Sequence, residues 1–186
     1  PGCFATLAQL LLFPFKGSIE HADILAITGS SGSGKSPNDG THHPVRNHNI
    51  KSYNINIHRH LPEILKSAEI KENQLNFVPT SGPFSRGIFA QAFIRLNKDC
   101  SFDDLVTRAY KNTPFIRIQK SVALANIVGS NFVDLSFSKG NDNIILAQGA
   151  LDNLVKGASG AAIQNMNILF QYEQTLGLHT VPPMYP

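Results

Sequence analysis

Cysteine is scarce in this sequence: there are two in 186 residues, Cys3 and Cys100. That is too few for a disulfide framework and suits a reducing compartment, so a cytoplasmic protein is expected. Long apolar runs are missing too. A membrane-spanning helix needs roughly 18 or more consecutive apolar residues, so none is expected. The apolar opening "CFATLAQLLLFPF" lacks the basic leader and small-residue cleavage site of a signal peptide. Charge is modest, +3 with a pI near 9.0. Lys and Arg are scattered and no aromatic residues interleave with a basic run, which argues against a nucleic-acid interface. An anionic substrate or an acidic partner stays compatible with this balance. His42, His43, His48, His58 and His60 are numerous, yet no H-E-x-x-H occurs and Cys3 has no partner at zinc-like spacing, so no metal site is expected. No G-x-G-x-x-G follows a strand, and no internal repeat or low-complexity segment is found.

What is present reads as one domain with a real core, 42% apolar. Residues 3–13 have helical spacing of Ala5, Leu7, Leu10 and Leu11, and Pro14 stops the helix. "ADILAIT" (22–28) reads as a short buried strand. Residues 29–48 are rich in Gly, Ser, Pro, Asn and His and read as a long loop, which in a compact domain is usually functional or disordered. A short helix is expected over 60–70, with Pro62 in its first turn. "QLNFVP" and residues 87–96 read as strands; in the latter Ile88, Ala90, Ala92 and Ile94 alternate with Phe89, Gln91, Phe93 and Arg95. Ser101 is placed to cap a helix over 101–112, with Asp103 and Asp104 at its positive end. "NFVDLSFSKGNDNIILAQGAL" reads as a hairpin around residues 139–142. A last helix runs from about Leu154 to Gln171, before the Pro-rich tail. Strands and helices without regular alternation indicate an α+β fold on a mixed, largely antiparallel sheet.

"GSSGSGKS" (29–36) satisfies the phosphate-loop pattern G-x-x-x-x-G-K-S. A nucleotide loop needs a helix starting at Gly-Lys-Ser, whose amides and dipole hold the phosphates. The following "PNDGTHHP" cannot sustain one. Two readings remain: a surface turn, or an anion loop in which serial amides from Ser30 to Gly34 plus Lys35 hold a phosphate or carboxylate.

Cys3 follows Pro-Gly at a helix start, where dipole and amides favour a nucleophilic thiolate of lowered pKa. A small buried apolar cysteine is the competing reading; Cys100 is taken as structural. "HRHLPEI" supplies two imidazoles, His58 and His60, which share one face if extended, with Arg59 between them and Glu63 beyond. A cysteine nucleophile needs such an acid–base partner. Arg86 stands between a turn and a strand; it is either a bidentate partner for an oxyanion or a surface residue. In "KGASGAAIQNMN", Lys156, Gly157 and Gly160 open a helix that contains Asn165 and Asn167; close ligand approach and tight packing both fit its glycines.

Together, "PGCFATLAQLLL", "GSSGSGKS", "HRHLPEI", "SRGI", "GSNFVD" and "KGASGAAIQNMN" resemble, in order and over nearly the whole chain, one family. It is that of N-acetyl-γ-glutamyl-phosphate reductase and its relative, the carrier-protein-linked aminoadipyl-phosphate reductase of lysine biosynthesis. The resemblance implies the α+β catalytic domain of semialdehyde and glyceraldehyde-3-phosphate dehydrogenases, with helices on one face of the sheet. Residues 1–153 would be the catalytic and dimerisation domain; 154–186 would be a helix and tail returning to a dinucleotide-binding domain. It implies Cys3 as nucleophile and His58 as acid–base residue. Ser31, Gly32, Lys35, His60, Glu63 and Arg86 would lie at the substrate, with Gly157, Ala158, Gly160 and one of Asn165 and Asn167 at the cofactor, NADP (NADPH). The activity implied is reduction of an acyl phosphate to a semialdehyde, in arginine or lysine biosynthesis, by a homo-dimer or tetramer. The segment "SPNDGTHHPVRNHN" is nearer the branch whose substrate rides on a small acidic amino-group carrier protein. A non-catalytic carrier-binding or dimerisation module is the alternative. With no dinucleotide fingerprint and a start already at a helix mouth, the chain is expected to be a fragment that does not turn over alone.

Overall fold

A computed structural model describes residues 1–34, 36 and 40–178. Lys35, the segment 37–39 that was read against a nucleotide loop, and the Pro-rich tail from 179 onward lie outside the described residues. The chain forms a seven-stranded sheet with helices on one face. In chain order the elements are α1 (Cys3–Leu12), β1 (Ile19–Thr28), α2 (His43–Arg46), β2 (Lys51–Ser52), α3 (Leu61–Ala68), β3 (Leu75–Ser81), β4 (Ile88–Leu96), α4 (Phe102–Tyr110), β5 (Ile116–Ile118), β6 (Val133–Lys139), β7 (Ile144–Leu151) and α5 (Gly160–Leu169). The strand order is β2-β3-β1-β4-β7-β6-β5. β1 runs parallel to β3 and β5 to β6; every other neighbouring pair is antiparallel.

The centre of the sheet follows from period-two patterning. In β4, Ile88, Ala90, Ala92 and Ile94 are buried while Gln91, Phe93 and Arg95 face outward. β1 does the same: Ala22, Ile24 and Ala26 are buried, Asp23 and Leu25 exposed. It is therefore half-buried, not the fully buried strand its apolar run indicates, because only one face of the sheet carries helices. Small residues on that face let α1 come close. At Gly149 of β7 a Cβ would lie 2.8 Å from Leu7 Cδ1 and 3.2 Å from Leu11 Cδ2. Phe4, Leu7, Leu11 and Leu12 are buried there, each side chain contributing about 1.5–3 kcal/mol relative to exposure. α3 packs beside α1, and the Tyr110 hydroxyl of α4 donates to the Leu10 carbonyl.

The described part of 29–48 is not structureless. It holds a 3-10 turn at Ser30–Ser33 and the single-turn helix α2. Ser101 stands at the N-cap of α4 with extended backbone but makes no side-chain cap bond. The last helix opens as a π-helical turn, Val155–Ser159, before α5. The ends of β1 and β7 and the start of β4 lie side by side, Thr28 opposite Ile88 and Ile88 opposite Leu151. That end of the sheet gathers the candidate site.

Candidate active site

Cys3 is the first residue of α1, preceded by Gly2 in extended conformation. Two flanks hold it. On one, the Gly2 N–H donates to Glu63 Oε2 at 2.9 Å, and a Cβ on Gly2 would fall 2.0 Å from His60 Nε2. Glycine is needed there because an imidazole occupies the space. On the other flank a Cβ on Gly157 would lie 2.7 Å from Cys3 Cβ. The thiol's pKa is raised, not lowered as the helix-start argument expects. Burial outweighs the backbone amides of Phe4 and Cys3 and the charge of Arg59, which act in the opposite direction.

His58 and His60 are both buried, their ring centroids 4.7 Å apart and edge to face. They come together through the turn into α3, with His60 at its N-cap position, and not along an extended segment. The His60 N–H donates to His58 Nδ1 at 3.2 Å, so the neutral ring carries its proton on Nε2. Phe4, Tyr53 and Phe77 pack around His58. Burial, then the neighbouring His60 and Arg59, pull its pKa down to about 4. Burial also lowers that of His60, whose Nδ1 is buried without a partner, although Glu63 opposes the shift. Tyr53 is pushed up to about 12, chiefly by burial.

The glycine–serine loop is tied down by its own amides. Gly29 N–H donates to Gly87 O, Ser30 N–H to Phe84 O and Ser31 N–H to Ser85 O, each at 2.9 Å, and Gly32 N–H to Gly29 O at 3.2 Å. The amides of Ser30, Ser31 and Gly32 are thus engaged within the chain, which corrects the reading of a serial amide cradle from Ser30 to Gly34. Asn153 locks the same junction: its Oδ1 accepts from Gly87 N–H at 2.6 Å and its Nδ2 donates to Ser31 Oγ at 3.0 Å. Arg86 Nε lies 2.7 Å from Oδ2 of the fully buried Asp152. That carboxylate also accepts from the amides of Gly129, Leu154 and Val155 at 2.6–2.9 Å. It joins Arg86 to the π turn that flanks Cys3. A cavity of about 680 Å³ opens beside His58, lined among others by Ser33, Arg46, Lys51, Tyr53 and Arg59.

Residues 3–153 match the family described as semialdehyde dehydrogenase, dimerisation domain. The chain belongs to the semialdehyde dehydrogenase family. It is similar to curated proteins named N-acetyl-gamma-glutamyl-phosphate reductase. The one from Methanocella arvoryzae is 40% identical over 97% of this chain and 56% of its own length. That from Archaeoglobus fulgidus is 38% identical over 100% and 58%, and that from Methanosarcina barkeri 42% identical over 96% and 56%. The chain thus spans just over half the length of these relatives. Its fold is that of aspartate semialdehyde dehydrogenase II from Vibrio cholerae, with a TM-score of 0.71 at 15% identity over 92% of this chain and 61% of that one. The aspartate semialdehyde dehydrogenase from Francisella tularensis matches at 0.69 and 11%, over 91% and 64%.

Within this semialdehyde dehydrogenase fold, Cys3, His60, Glu63 and Gly157 converge around the mouth of α1. Ser31, Gly32 and Arg86 meet through Asn153 and Asp152, and Lys35 lies outside the described residues. Gly160 is buried, and a Cβ there would meet Asn131 Oδ1 at 2.4 Å. Ala158 and Asn165 are exposed. Asn167 is buried and donates to the carbonyls of Gln174 and Leu176. Among the described residues no three His, Cys, Asp or Glu side chains group as metal ligands. Among the buried polar residues that escaped the sequence reading are Arg46, Asp152 and Asn153. Only Asp152 carries a local signal, an acidic residue just before the last helix, where it accepts the first amides.

Proposed function

We propose that this chain is the catalytic half of a reductase that converts an acyl phosphate to its semialdehyde, with NADPH as reductant. N-acetyl-γ-glutamyl phosphate, in arginine biosynthesis, is the favoured substrate, because the similar curated proteins carry that name. A glutamyl or aminoadipyl phosphate on an acidic carrier protein is the alternative; the net charge of +3 is compatible with it. The observation that carries the reading is the position of Cys3, at the first turn of α1 between the His60–Glu63 corner and Gly157.

The Cys3 thiolate attacks the acyl carbon; a C–S bond forms, the C–O bond to phosphate breaks, and phosphate leaves. Burial keeps the resting thiol protonated, so its proton leaves with the departing phosphate as hydrogen phosphate, and the Phe4 and Cys3 amides and Arg59 favour the anion as it forms. NADPH, when bound, supplies a hydride to the thioester carbon. His58, neutral at physiological pH with its proton on Nε2, donates a hydrogen bond to the oxygen on which charge develops. When the oxyanion collapses, the C–S bond breaks and releases semialdehyde and thiolate. The segment after β7 would hold the nicotinamide: Gly157 packs directly on Cys3, Ala158 and Asn165 beside it are exposed, and Asn167, whose amide is used internally, supports the segment. Gly160 closes the segment against Asn131. Ser31, Gly32, His60, Glu63 and Arg86 are assigned to the substrate side; Lys35 lies outside the described residues.

The test is the full-length gene product assayed in reverse. NADP reduction is followed with phosphate and each candidate semialdehyde, free and carrier-linked, with Cys3→Ser as control. Cysteine- and phosphate-dependent turnover is expected on the free acetylated semialdehyde; turnover on carrier-linked substrate alone would move the chain to the carrier branch. A second reading, a dimerisation module without chemistry, is favoured by the apolar outer face of the sheet, where Leu25, Phe93 and Leu146 are exposed. Absence of cysteine-dependent turnover on every substrate would leave that reading in place.

A further inference from the structure

Arg46 is a charged side chain where charge is expensive. It is 4% exposed, and no carboxylate pairs with it among the described residues. Its Nη1 donates to Ser33 Oγ at 2.8 Å and its Nη2 to the Thr28 carbonyl at 2.6 Å. Its Nε is buried with no partner. Among the described residues the guanidinium is held by neutral acceptors alone, which do not compensate a buried cation for the water it has lost. The side chain lines the cavity of about 680 Å³ beside His58. Lys51 and Arg59 line the same cavity, and no Asp or Glu does among the described residues. By contrast Arg86, the arginine singled out from sequence, has its Nε against the buried carboxylate of Asp152. Burial also lowers the pKa of Arg46 from its ordinary high value, the direction expected for a cation that lacks its counter-charge.

We propose that Arg46 forms the floor of an oxyanion subsite in the cavity beside His58, taking the phosphoryl or carboxylate group of the substrate, with Lys51 and Arg59 at its rim. The site supplies the negative charge from the ligand instead of from the protein. The identity of the ligand rests on the reductase reading; the subsite itself rests on the cavity and on a buried cation with no carboxylate partner among the described residues.

The experiment uses the full-length gene product, wild type and the variants Arg46→Gln and Arg46→Lys. Binding of inorganic phosphate and of N-acetylglutamate is measured by calorimetry, alongside melting temperature and the separate KM values for phosphate and semialdehyde in reverse. Loss of a charge-assisted contact is expected to weaken one of the two ligands by about tenfold or more in Arg46→Gln. Arg46→Lys, which keeps the charge but loses the planar fork, is expected to fall between that variant and wild type. A rise in KM for phosphate assigns the phosphoryl group; a rise in KM for semialdehyde assigns the carboxylate. If Arg46→Gln fails to fold, Arg46→Lys decides. Unchanged affinities and KM values in a folded variant, with only a lower melting temperature, would show that Arg46 is merely a clamp between Thr28 and Ser33. Wild-type protein that binds neither ligand overturns the subsite as well. Binding that depends on Arg46 without cysteine-dependent turnover would retain the subsite and reject the reductase.

Discussion

Cys3 shows how two local effects compete at one atom. A helix start and two backbone amides favour the thiolate, yet burial acts more strongly and raises the thiol pKa. In the unliganded protein, the alkylation rate of Cys3 by iodoacetamide is therefore expected to climb as pH rises past the ordinary thiol range. Peptide mass spectrometry separates it from Cys100. A rate already level at neutral pH would contradict the burial argument. The imidazole beside it gives a second prediction. His58 has a folded-state pKa of about 4 against an ordinary 6.5. Above 6.5 the ring is neutral in both folded and unfolded chains, and its burial carries no protonation penalty. As pH falls from 6.5 towards 4, the unfolded chain binds the proton first and stability is lost through that window. Melting temperature should drop there, and His58→Gln should flatten the drop in part. Only in part, because the His60 pKa is depressed in the same direction. An unchanged profile in the variant would show that the acid transition belongs to other groups.

The elements differ in how openly they announce themselves. β4 is legible because burial alternates along its whole length, and β6 and β7, where alternation is only partial, are legible as apolar runs flanking a turn. α1, α3 and α4 are legible from spacing and from proline or acidic residues at their starts. β5, three residues long, and β2, two residues long, carry no periodicity of their own and exist through the neighbours they pair with. The candidate site is legible as residue types: Cys3 and "HRHLPEI" announce themselves. What holds that site is not, because its contacts join residues far apart in sequence: Gly87 to Asn153, Arg86 to Asp152, Arg46 to Thr28. Asp152 is the clearest case. One carboxylate orders the Gly129 turn, Arg86 and the π turn that touches Cys3. π turns cluster at functional sites, and this one persists because Asp152 takes its first amides. Asp152→Asn keeps the shape but loses the charge, and should destabilise the protein by about 3 kcal/mol, as for a buried ion pair with one partner removed. It should also lower kcat, as the Gly157 flank of Cys3 loosens. Loss of stability with kcat intact would confine Asp152 to a folding role.

At the scale of the whole molecule, two apolar surfaces are exposed among the described residues. One is the C-terminal helix and the turn after it, where Ile163, Met166, Ile168, Leu169 and Phe170 are all exposed. The other is the bare face of the sheet. Phe93 lies opposite Leu146 across the β4–β7 ladder, with Leu25 one strand away on β1. These are 55%, 37% and 41% exposed, too large and too clustered to be scattered surface residues. A second copy of the chain would bury them, consistent with the dimerisation domain to which residues 3–153 belong. A stable interface buries roughly 800 Å² on each partner, and a sheet face provides it by stacking two sheets about 10 Å apart. Phe93 sits in the middle strand of such a face, so a charge there would be buried twice, once on each side of a two-fold axis. Phe93→Glu in the full-length protein should convert the oligomer to a smaller species by light scattering. The melting temperature of the isolated fold should change little, because the residue makes no core contact. A wild-type monomer at micromolar concentration, or a variant of unchanged mass, would assign the oligomer to another surface and leave the C-terminal helix as the next to test.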